Sequence, residues 1–252
     1  MNKAPQSFWD DTNASFDFER PSAKDYTRLL INKYIPVTAG NSVIEIGCYP
    51  GRYLSIFGDL GYTLHGIDLT TRTPETKHNL EKYGYRVGEI LLEDFLAMPE
   101  EKKYGVVASF GFIEHFENYK EIIDKHCRHV NPGGHIVIGA PNLKNGIPNL
   151  FYRLFNSRGL KKHVLAAMDL PAWEEQLKKN GFDIMFAGYC GGLHFWLDGD
   201  QGKLQHFTGL QVLRLVRVIK AVFFWINFEN LNSKYVSCDF LVIGKKRIMD
   251  TR

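Results

Sequence analysis

The sequence has few cysteines, little net charge and no long uncharged apolar run. Its 252 residues include four cysteines without a C-x-x-C pair, which argues against a zinc site or a disulfide framework and favours a reducing, cytoplasmic setting. The N-terminus lacks the pattern of a signal peptide, and no apolar run is long enough to span a bilayer. A net charge of +3 is too small to indicate a nucleic-acid partner by itself.

The overall composition is that of an ordinary globular protein, with 44% hydrophobic and 23% charged residues. A chain of this length can bury one substantial core, so we predict a single domain over residues 1–252. Within it we expect an N-terminal arm and helices over 1–40, a ligand-binding core over 41–140, and inserted segments over 141–170 and 190–233. The aromatic and acidic residues of the arm either pad the core or close over a ligand.

From residue 42 onwards, short apolar runs alternate with amphipathic segments. A helix over about 22–34 comes before them and ends before Pro36. The predicted elements that follow are strand 42–46, helix 51–60, strand 63–68, helix 74–83, a strand near 86–92, strand 104–109, helix 117–130, strand 134–140, a helical insertion over 146–170, helix 172–179, strand 182–189, a second insertion over 190–233 and strand 234–244. This alternation predicts an α/β fold of parallel βαβ units, whose ligands bind at the carboxyl ends of the strands.

The first strand leads into a tight turn that contains Gly47 and Gly51, and a helix follows. The second strand ends at Asp68, whose carboxylate can accept hydrogen bonds from the vicinal hydroxyls of a ribose, although it can also cap the following turn. The turn lacks the G-x-G-x-x-G pattern, because Tyr49 and Pro50 occupy its middle. A pyrophosphate, and with it a Rossmann oxidoreductase, is therefore disfavoured, and an adenosyl ligand is predicted.

Four motifs occur in the order and spacing of one known family. They are Glu45–Gly51, Gly66–Asp68, Ile113–Phe116 and Asn131–Gly134. Together they resemble the class I S-adenosylmethionine-dependent methyltransferases, and the resemblance covers residues 40–140 well. It implies a Rossmann-like sheet of seven strands, mostly parallel with the last strand antiparallel, and helical insertions after strands 5 and 6. It also implies S-adenosyl-L-methionine as the cofactor.

The resemblance assigns cofactor contacts to residues at the ends of the first four strands. It implies that Gly47 lies under the methionine part of the cofactor and that Glu45 fixes its ammonium group, directly or through water. An acid at the position of Asp94 accepts a hydrogen bond from the adenine amino group, although its spacing also fits an N-cap. Phe95 lies against the adenine ring, and Phe110 helps to exclude water. The predicted cofactor-binding residues are Glu45, Gly47, Gly51, Asp68, Asp94, Phe95 and Phe110.

Two histidines are candidates for proton transfer. His115 follows the fourth strand, where the family lines its methyl-transfer cavity, and His194 follows the sixth strand. Imidazole can accept a proton from a hydroxyl nucleophile near neutral pH, so both are predicted as catalytic bases, while structural roles remain open. Glu114 and His115 could instead bind a divalent metal, but no third ligand is evident, and we predict no metal site.

These features predict an enzyme that transfers a methyl group to an oxygen of a small molecule, a sugar or a glycan, including a lipid-linked one. Oxygen is favoured by the two histidines and by the lack of an N-P-P-Y or D-P-P-Y signature after the fourth strand. A nucleic-acid acceptor is disfavoured, because the basic residues form no stripe interleaved with aromatics. The alternative is a methyltransferase-like binding or scaffold protein without activity, since Tyr49 stands where the family usually has glycine.

The inserted segments are predicted to select the acceptor. Over 210–226 the chain is almost wholly apolar except for Arg214, Arg217 and Lys220, which share one face at helical spacing. Such a helix can lie on an anionic membrane surface, cover the cleft as a lid, or form a dimer face. Peripheral membrane contact through this segment is therefore a hypothesis, as is an acceptor that carries phosphate or a lipid.

Overall fold

The structure is a computed structural model that describes residues 17–38, 40–195, 197, 202–223 and 231–248. The predictions for the first sixteen residues of the arm, and for parts of the second insertion such as Trp196, Asp198 and the last residues of 210–226, lie outside these ranges. None of the helices within them is both long and apolar enough to cross a bilayer.

Helices and strands alternate through most of the described chain. In order they are α1 (Tyr26–Tyr34), β1 (Ser42–Ile46), α2 (Leu54–Asp59), β2 (Thr63–Asp68), α3 (Thr73–Lys82), β3 (Val87–Leu92), β4 (Tyr104–Phe110), α4 (Tyr119–Arg128), β5 (Val130–Pro141), α5 (Gly146–Phe155), α6 (Ser157–Lys161), α7 (Leu170–Lys179), β6 (Phe182–Cys190), α8 (Lys203–Val222) and β7 (Asp239–Lys246). Single 3-10 turns lie at Phe95–Ala97, Ile113–His115 and Leu165–Ala167.

The seven strands form one sheet in the order β3-β2-β1-β4-β5-β7-β6. The first five strands pair in parallel, and β7 enters antiparallel between β5 and β6. This confirms the predicted fold class, including the antiparallel last strand. The strand order reverses between β1 and β4, and a crevice at such a switch point is the expected ligand site of an open α/β sheet.

Both faces of the sheet are covered, because side chains alternate across each strand. On β7, Phe240 and Val242 join the core formed with α4 and α7, while Leu241 and Ile243 join the core formed with α1, α2 and α3. Trp173 of α7 is fully buried against Phe240, and its indole Nε1 donates to the carbonyl of Ala167 over 2.7 Å. The two cores hold the carboxyl ends of the strands in fixed positions.

Several predicted boundaries were wrong at their ends. The helix predicted over 51–60 begins only at Leu54, because Gly51 has a φ of +97°, which a helix does not tolerate. The strand predicted over 234–244 begins at Asp239, because the backbone N–H groups of Val236 and Ser237 both donate to the carbonyl of Ser233 in a turn. The turn after β1 is therefore longer than predicted, and Asp239 lies at the end of a strand rather than in its middle.

The first insertion consists of short pieces rather than one long helix. Asn156 ends α5, and its side chain accepts a hydrogen bond from Gly159 N, which starts α6. Asp169 caps α7 by accepting from Ala172 N, so this helix begins at Leu170, two residues before the predicted start. The second insertion contributes α8, which packs against α5. Both insertions therefore lie on the same side of the molecule.

Candidate active site

The turn after β1 is held open by two glycines in the left-handed region. Gly47 has a φ of +74° and Gly51 a φ of +97°. A Cβ on Gly51 would lie 3.0 Å from Cγ2 of Thr76 and 3.3 Å from Cγ of Leu80, so a side chain there would push against α3. Glycine at position 51 therefore serves both the backbone angle and the close approach of the turn to α3.

Asp68 joins the end of β2 to this turn. Its Oδ2 accepts from Tyr49 N at 3.0 Å, and its Oδ1 accepts from Thr70 N at 3.0 Å. The side chain is half-buried, and a carboxylate offers about four lone-pair sites, so accepting from these two N–H groups does not by itself exclude a ligand hydroxyl. The capping role and the ligand role that the sequence left open are therefore compatible.

The side chain of Tyr49 lies against the first turn of α3. Its hydroxyl donates to Oε2 of Glu75 at 3.4 Å, and the Arg72 guanidinium lies over its ring at 5.1 Å from the centroid. Arg72 in turn makes two hydrogen bonds to Glu75, at 2.9 and 2.8 Å. These contacts tie the unusual tyrosine to α3, on the outer side of the turn.

Glu45 is a buried carboxylate on β1, beside the turn. Burial raises the pKa of its carboxyl well above the usual range, although a hydrogen bond from the backbone of Leu54 opposes this shift. Its Oε2 has no hydrogen-bond partner among the described residues. A buried oxygen without a partner costs about 1–3 kcal/mol, so a ligand that donates to it would stabilise this arrangement.

The end of β3 agrees only in part with the sequence. Asp94 is exposed, and its Oδ1 accepts from Leu96 N at 2.8 Å, which is the N-cap that its spacing also allowed. Phe95 is the residue predicted to lie against an adenine ring. Its side chain is 3% exposed and packs among the rings of Phe112 and His126 in the core. Phe95, which follows Asp94, therefore belongs to the core that packs beneath the end of β3.

On the other side of the switch point, aromatic rings line the edge of β4. Phe110 is half-buried, and its ring centroid lies 4.2 Å from that of Tyr53, which stands just before α2. Gly111 follows with a φ of +71°, which turns the chain sharply after the strand. Tyr53 was not singled out in the sequence, because its distance in sequence from β4 hides the contact.

The sequence also missed a carboxylate at the start of β7. Asp239 is paired with Pro141 of β5 and with Cys190 of β6, so it lies at the carboxyl edge of the sheet. Its Oδ2 accepts from the Tyr26 hydroxyl at 2.8 Å. Burial raises the pKa of Asp239 to about 7, and its charge contributes, after burial, to the raised pKa of Tyr53.

His115 is enclosed by the first insertion. The residue is 4% exposed, and its Nδ1 lies 3.0 Å from the carbonyl oxygen of Lys162. Burial, followed by the neighbouring His163 ring at 4.7 Å, lowers the pKa of His115 to about 3. An imidazole with this pKa is a poor acceptor for a hydroxyl proton at neutral pH.

His115 also belongs to a cluster of three metal-ligating side chains. Glu114, His115 and His163 offer ligand atoms that all lie within 4.8 Å of one another. Glu114 is buried, its Oε2 has no hydrogen-bond partner in the described chain, and burial raises its pKa to about 8. The sequence revealed two of these ligands and missed His163, which the fold brings in from the first insertion.

His194, the second predicted base, lies on the far side of the insertion. It is exposed, and its backbone N–H donates to Sγ of Cys238 at 3.2 Å. Together with Phe195 it lines a cavity of about 90 Å³ beneath Leu213 and Val216 of α8. His115 faces the carbonyl of Lys162, whereas His194 lines this cavity, so the two predicted bases have different neighbours.

The chain matches known proteins over the part that builds this site. Residues 19–185 match the family described as a methyltransferase domain. The chain belongs to the class I S-adenosylmethionine-dependent methyltransferases. A ubiquinone biosynthesis O-methyltransferase from Cupriavidus pinatubonensis is 32% identical over 107 residues, 41% of this chain and 43% of that protein. One of the same name from Burkholderia thailandensis is 26% identical over 182 residues, 71% of this chain and 67% of that protein.

The match thus spans less than half the length of the first of these relatives. Solved structures resemble a larger share of this chain than these relatives do. The N-methyltransferase NodS from Bradyrhizobium japonicum WM9, in complex with S-adenosyl-L-homocysteine, gives a TM-score of 0.59 at 14% identity and covers 98% of this chain and 99% of that one. Phosphoethanolamine N-methyltransferase 2 from Haemonchus contortus gives 0.61 at 13% identity, covering 96% of this chain and 57% of that one. These likenesses establish the fold.

The edge of this methyltransferase suits the polar groups of S-adenosylmethionine. The unpartnered Oε2 of Glu45 could accept from the ammonium group, and the Asp68 carboxylate could accept from ribose hydroxyls. The glycine turn leaves room above Gly47, where an added Cβ would meet nothing closer than 3.5 Å. These acceptor groups are therefore complementary to a cationic amino group and a sugar.

Proposed function

We propose that this methyltransferase moves the methyl group of S-adenosylmethionine to a hydroxyl oxygen of a small molecule. The observation that carries the proposal is the Tyr26–Asp239 pair at the carboxyl edge, beside Tyr53. It provides a half-buried carboxylate that could take a hydroxyl proton, next to the strand ends where the cofactor is expected. The names of the relatives also support an oxygen acceptor in a small molecule.

In this proposal the cofactor is held mainly by the first two strands. Glu45 orients the ammonium group, Gly47 and Gly51 let the backbone approach the methionine part, and Asp68 binds the ribose. Asp94 could reach the adenine amino group with the oxygen that does not cap the 3-10 turn. Phe110, with the neighbouring Tyr53 ring, would shield the sulfonium from water.

Bound S-adenosylmethionine supplies an electrophilic methyl group, so the protein mainly has to place and deprotonate the acceptor. Transfer would form a C–O bond at the acceptor and break the S–C bond of the cofactor, and the acceptor proton would have to leave. Asp239, with a pKa of about 7, is ionised in a large fraction of molecules at neutral pH and could accept this proton. The Tyr26 hydroxyl, which donates to Oδ2, would hold the carboxylate in place.

Asp239 therefore replaces His115 and His194 as the proposed proton acceptor. His115 has a pKa of about 3 and faces the backbone of Lys162, so its role is more consistent with shaping the wall of the site. His194 lies beside α8, where it could contact an acceptor without accepting its proton. The acceptor hydroxyl would lie between Asp239 and the cofactor.

The test combines cofactor binding with turnover. S-Adenosyl-L-homocysteine is titrated calorimetrically into the full chain, and methyl transfer from labelled S-adenosylmethionine is then measured on panels of phenols, sugars and primary amines. We expect binding, and transfer to hydroxyl compounds that rises with pH around neutrality. Transfer to amines alone would contradict the oxygen acceptor. Binding without any turnover would favour the inactive scaffold, and absence of binding would contradict the cofactor proposal.

The same titration is repeated after chelation with EDTA and after addition of Mg²⁺ or Zn²⁺. The cluster of Glu114, His115 and His163 lies directly after β4, so a metal bound there would change the heat of binding or the turnover rate. The sequence predicted no metal site. Identical results under the three conditions would agree with that prediction, and a metal-dependent rate would contradict it.

A further inference from the structure

The two insertions differ in charge from the rest of the molecule. Residues 143–168 and 202–223 contain nine of the 31 Lys and Arg residues and none of the 28 Asp and Glu residues. Without these two segments the chain has 22 basic and 28 acidic residues, so the remainder is acidic. Positive charge is therefore concentrated in the segments that carry α5, α6 and α8.

The same helices expose a large share of the apolar surface. Twenty large hydrophobic side chains are exposed in the described chain, and ten of them lie on α5 or on α8 and its C-cap. They are Ile147, Leu150, Leu154, Leu204, Phe207, Leu215, Val218, Ile219, Val222 and Phe223. Single exposed leucines are normal, but a concentration of this kind marks an interaction surface.

The exposed residues follow the helical repeat on the outer side of each helix. On α5 they recur at Ile147, Leu150 and Leu154, while Phe151 on the opposite side is buried. On α8 the stripe runs from Leu204 through Leu215 and Val218 to Val222, each more than half exposed. The inner side of α8 is the one that meets the protein, at Gly209, Val212 and Leu213. The outer stripes are thus left uncovered by the described chain.

The two helices are packed closely enough to present these stripes as one surface. A Cβ on Gly209 would lie 3.2 Å from Cβ of Phe155, and the side chain of Gln205 donates to the carbonyl of Leu154 at 3.3 Å. Arg214 is exposed beside Leu215 of the α8 stripe, and Arg217 is exposed between that stripe and the cavity that His194 lines. We define the outer face of α5 and α8, with these two arginines, as the basic apolar face.

We propose that the basic apolar face docks on the surface of an anionic phospholipid bilayer. Apolar side chains at the centre of the face would enter the interface between headgroups and acyl chains, and the flanking arginines would meet lipid phosphates. A second copy of the chain fits less well, because it would bring two basic surfaces together. Nucleic acid fits less well too, because leucine and valine, rather than stacking aromatics, occupy most of the centre.

The experiment is a vesicle flotation assay with the full chain. Vesicles of phosphatidylcholine alone are compared with vesicles that also contain phosphatidylglycerol, at low and at high salt. We expect the protein to float with the anionic vesicles, to stay behind with the neutral ones, and to lose binding at high salt. Failure to float with anionic vesicles at low salt would overturn the proposal, as would equal binding to both vesicle types.

Two double variants separate the contributions of charge and apolar surface. Arg214→Gln with Arg217→Gln should weaken binding about 30-fold, since a basic residue near an anionic membrane contributes about 1 kcal/mol. Leu215→Gln with Val218→Gln should weaken it by at least about tenfold. The matched controls are Lys24→Gln with Lys82→Gln, and Leu29→Gln with Leu96→Gln, which change exposed residues elsewhere. Controls that lose as much binding as the test variants would contradict a defined face.

Light scattering and a gel shift with mixed oligonucleotides test the other occupants. We expect no difference in molar mass between the original chain and the Leu215→Gln, Val218→Gln variant, and no shift of the oligonucleotides. A dimer that dissociates in this variant would assign the face to a second copy and overturn the proposal. Circular dichroism establishes that each variant is folded, and because all substituted side chains are exposed, we expect unchanged spectra.

Discussion

The cofactor edge, formed by Glu45–Gly51 and Asp68, and the inserted helices α5, α6 and α8 are built in opposite ways. At the cofactor edge, the buried Glu45 and the half-buried Asp68 accept from backbone N–H groups, and Gly51 brings the chain close to α3. The inserted helices have no acidic residue and expose their leucines. Backbone geometry fixes the cofactor edge within the molecule, whereas the inserted helices expose their side chains to solvent or to a binding partner.

We interpret this difference as a separation of cofactor binding from acceptor selection. The cofactor is the same for every member of the family, so its contacts can come from turns whose backbone is rigidly supported. The acceptor differs, and the sequence predicts that it is selected by the segments added after β5 and β6, which leave the sheet undisturbed. Asp239 lies where these two regions meet, at the end of β7 nearest to both insertions.

The largest expected effect concerns that meeting point. Asp239→Asn removes the proposed proton acceptor while keeping its shape, so the turnover rate should fall by about 100- to 10,000-fold. Because burial raises the pKa of Asp239 to about 7, the rate of the unsubstituted enzyme should rise with pH through that value, and the variant should lose this rise. Steady-state rates over a pH series measure both effects.

The control is Asp183→Asn, which changes an exposed carboxylate of β6 that pairs with Arg247. It should keep both the rate and the pH profile. An Asp239→Asn variant that retains the original pH profile would show that another group accepts the proton. This result would contradict the role proposed for Asp239. Binding of S-adenosyl-L-homocysteine should be nearly unchanged in both variants.

A second prediction tests the core below the cofactor edge. Burial lowers the pKa of His126 from 6.5 to about 4 in the folded protein, so the unfolded chain binds more protons between these pH values. The resulting stability is complete above about pH 6.5 and is lost as the pH falls towards 4, and it amounts to about 3 kcal/mol. Urea unfolding over this pH range should show a steep loss of stability.

His126→Gln should flatten that loss, although the variant should also be less stable at neutral pH because the ring packs against Phe95 at 4.7 Å. His78→Gln, which changes an exposed histidine of α3, is the control and should leave the pH dependence as it was. An unchanged slope in His126→Gln would mean that other groups, such as His115 with its pKa lowered to about 3, dominate acid unfolding.

The third prediction concerns the cofactor edge itself. Asp68→Ala removes a charged acceptor from the proposed ribose site and from the N–H groups of Tyr49 and Thr70. Hydrogen bonds to charged groups contribute about 1.5–3 kcal/mol, so the affinity for S-adenosyl-L-homocysteine should fall by about 10- to 150-fold. Calorimetry measures this loss. Asp169→Ala, at the N-cap of α7, should lower stability without a comparable loss of affinity.

The smallest expected effects come from replacing one glycine by alanine in each region. Gly51→Ala places a side chain at a φ of +97° and against Thr76, and it should cost about 1–2 kcal/mol of folding stability. Gly209→Ala gains helix propensity, which offsets part of the crowding of its Cβ against Leu197 and Phe155, so it should cost less stability than Gly51→Ala. Chemical unfolding curves compare the two, and equal losses would contradict the contrast between the regions.

The cofactor edge could largely be predicted from the sequence, and the acceptor side could not. Strands β1 and β2 were predicted at their observed bounds, because apolar runs end there in Gly47 and Asp68, which have a local physical meaning. Tyr26 and Asp239 stand at opposite ends of the chain, and only the sheet order brings them to 2.8 Å. His163 reaches Glu114 through the folding of an insertion that has no repeating pattern.

The burial of single residues was equally hard to predict. Phe95 stands beside an acid that suits a ligand, yet its ring belongs to the core, because the 3-10 turn at Phe95–Ala97 directs it inward against His126. His115 was predicted as a catalytic base with a structural role left open, and in the structure burial beneath the first insertion lowers its pKa to about 3. In both cases the deciding neighbours come from elements that local spacing does not reveal.

The antiparallel entry of β7 has a consequence for how the enzyme forms during synthesis. Since β7 follows β6 in the chain but lies between β5 and β6, the sixth strand cannot join the sheet until the seventh has left the ribosome. Asp239 then reaches Tyr26 in the same event that closes the sheet. A nascent chain that ends before β7 could present the turn after β1, but it would lack the proposed proton acceptor, so the proposed proton transfer would require the synthesis of β7.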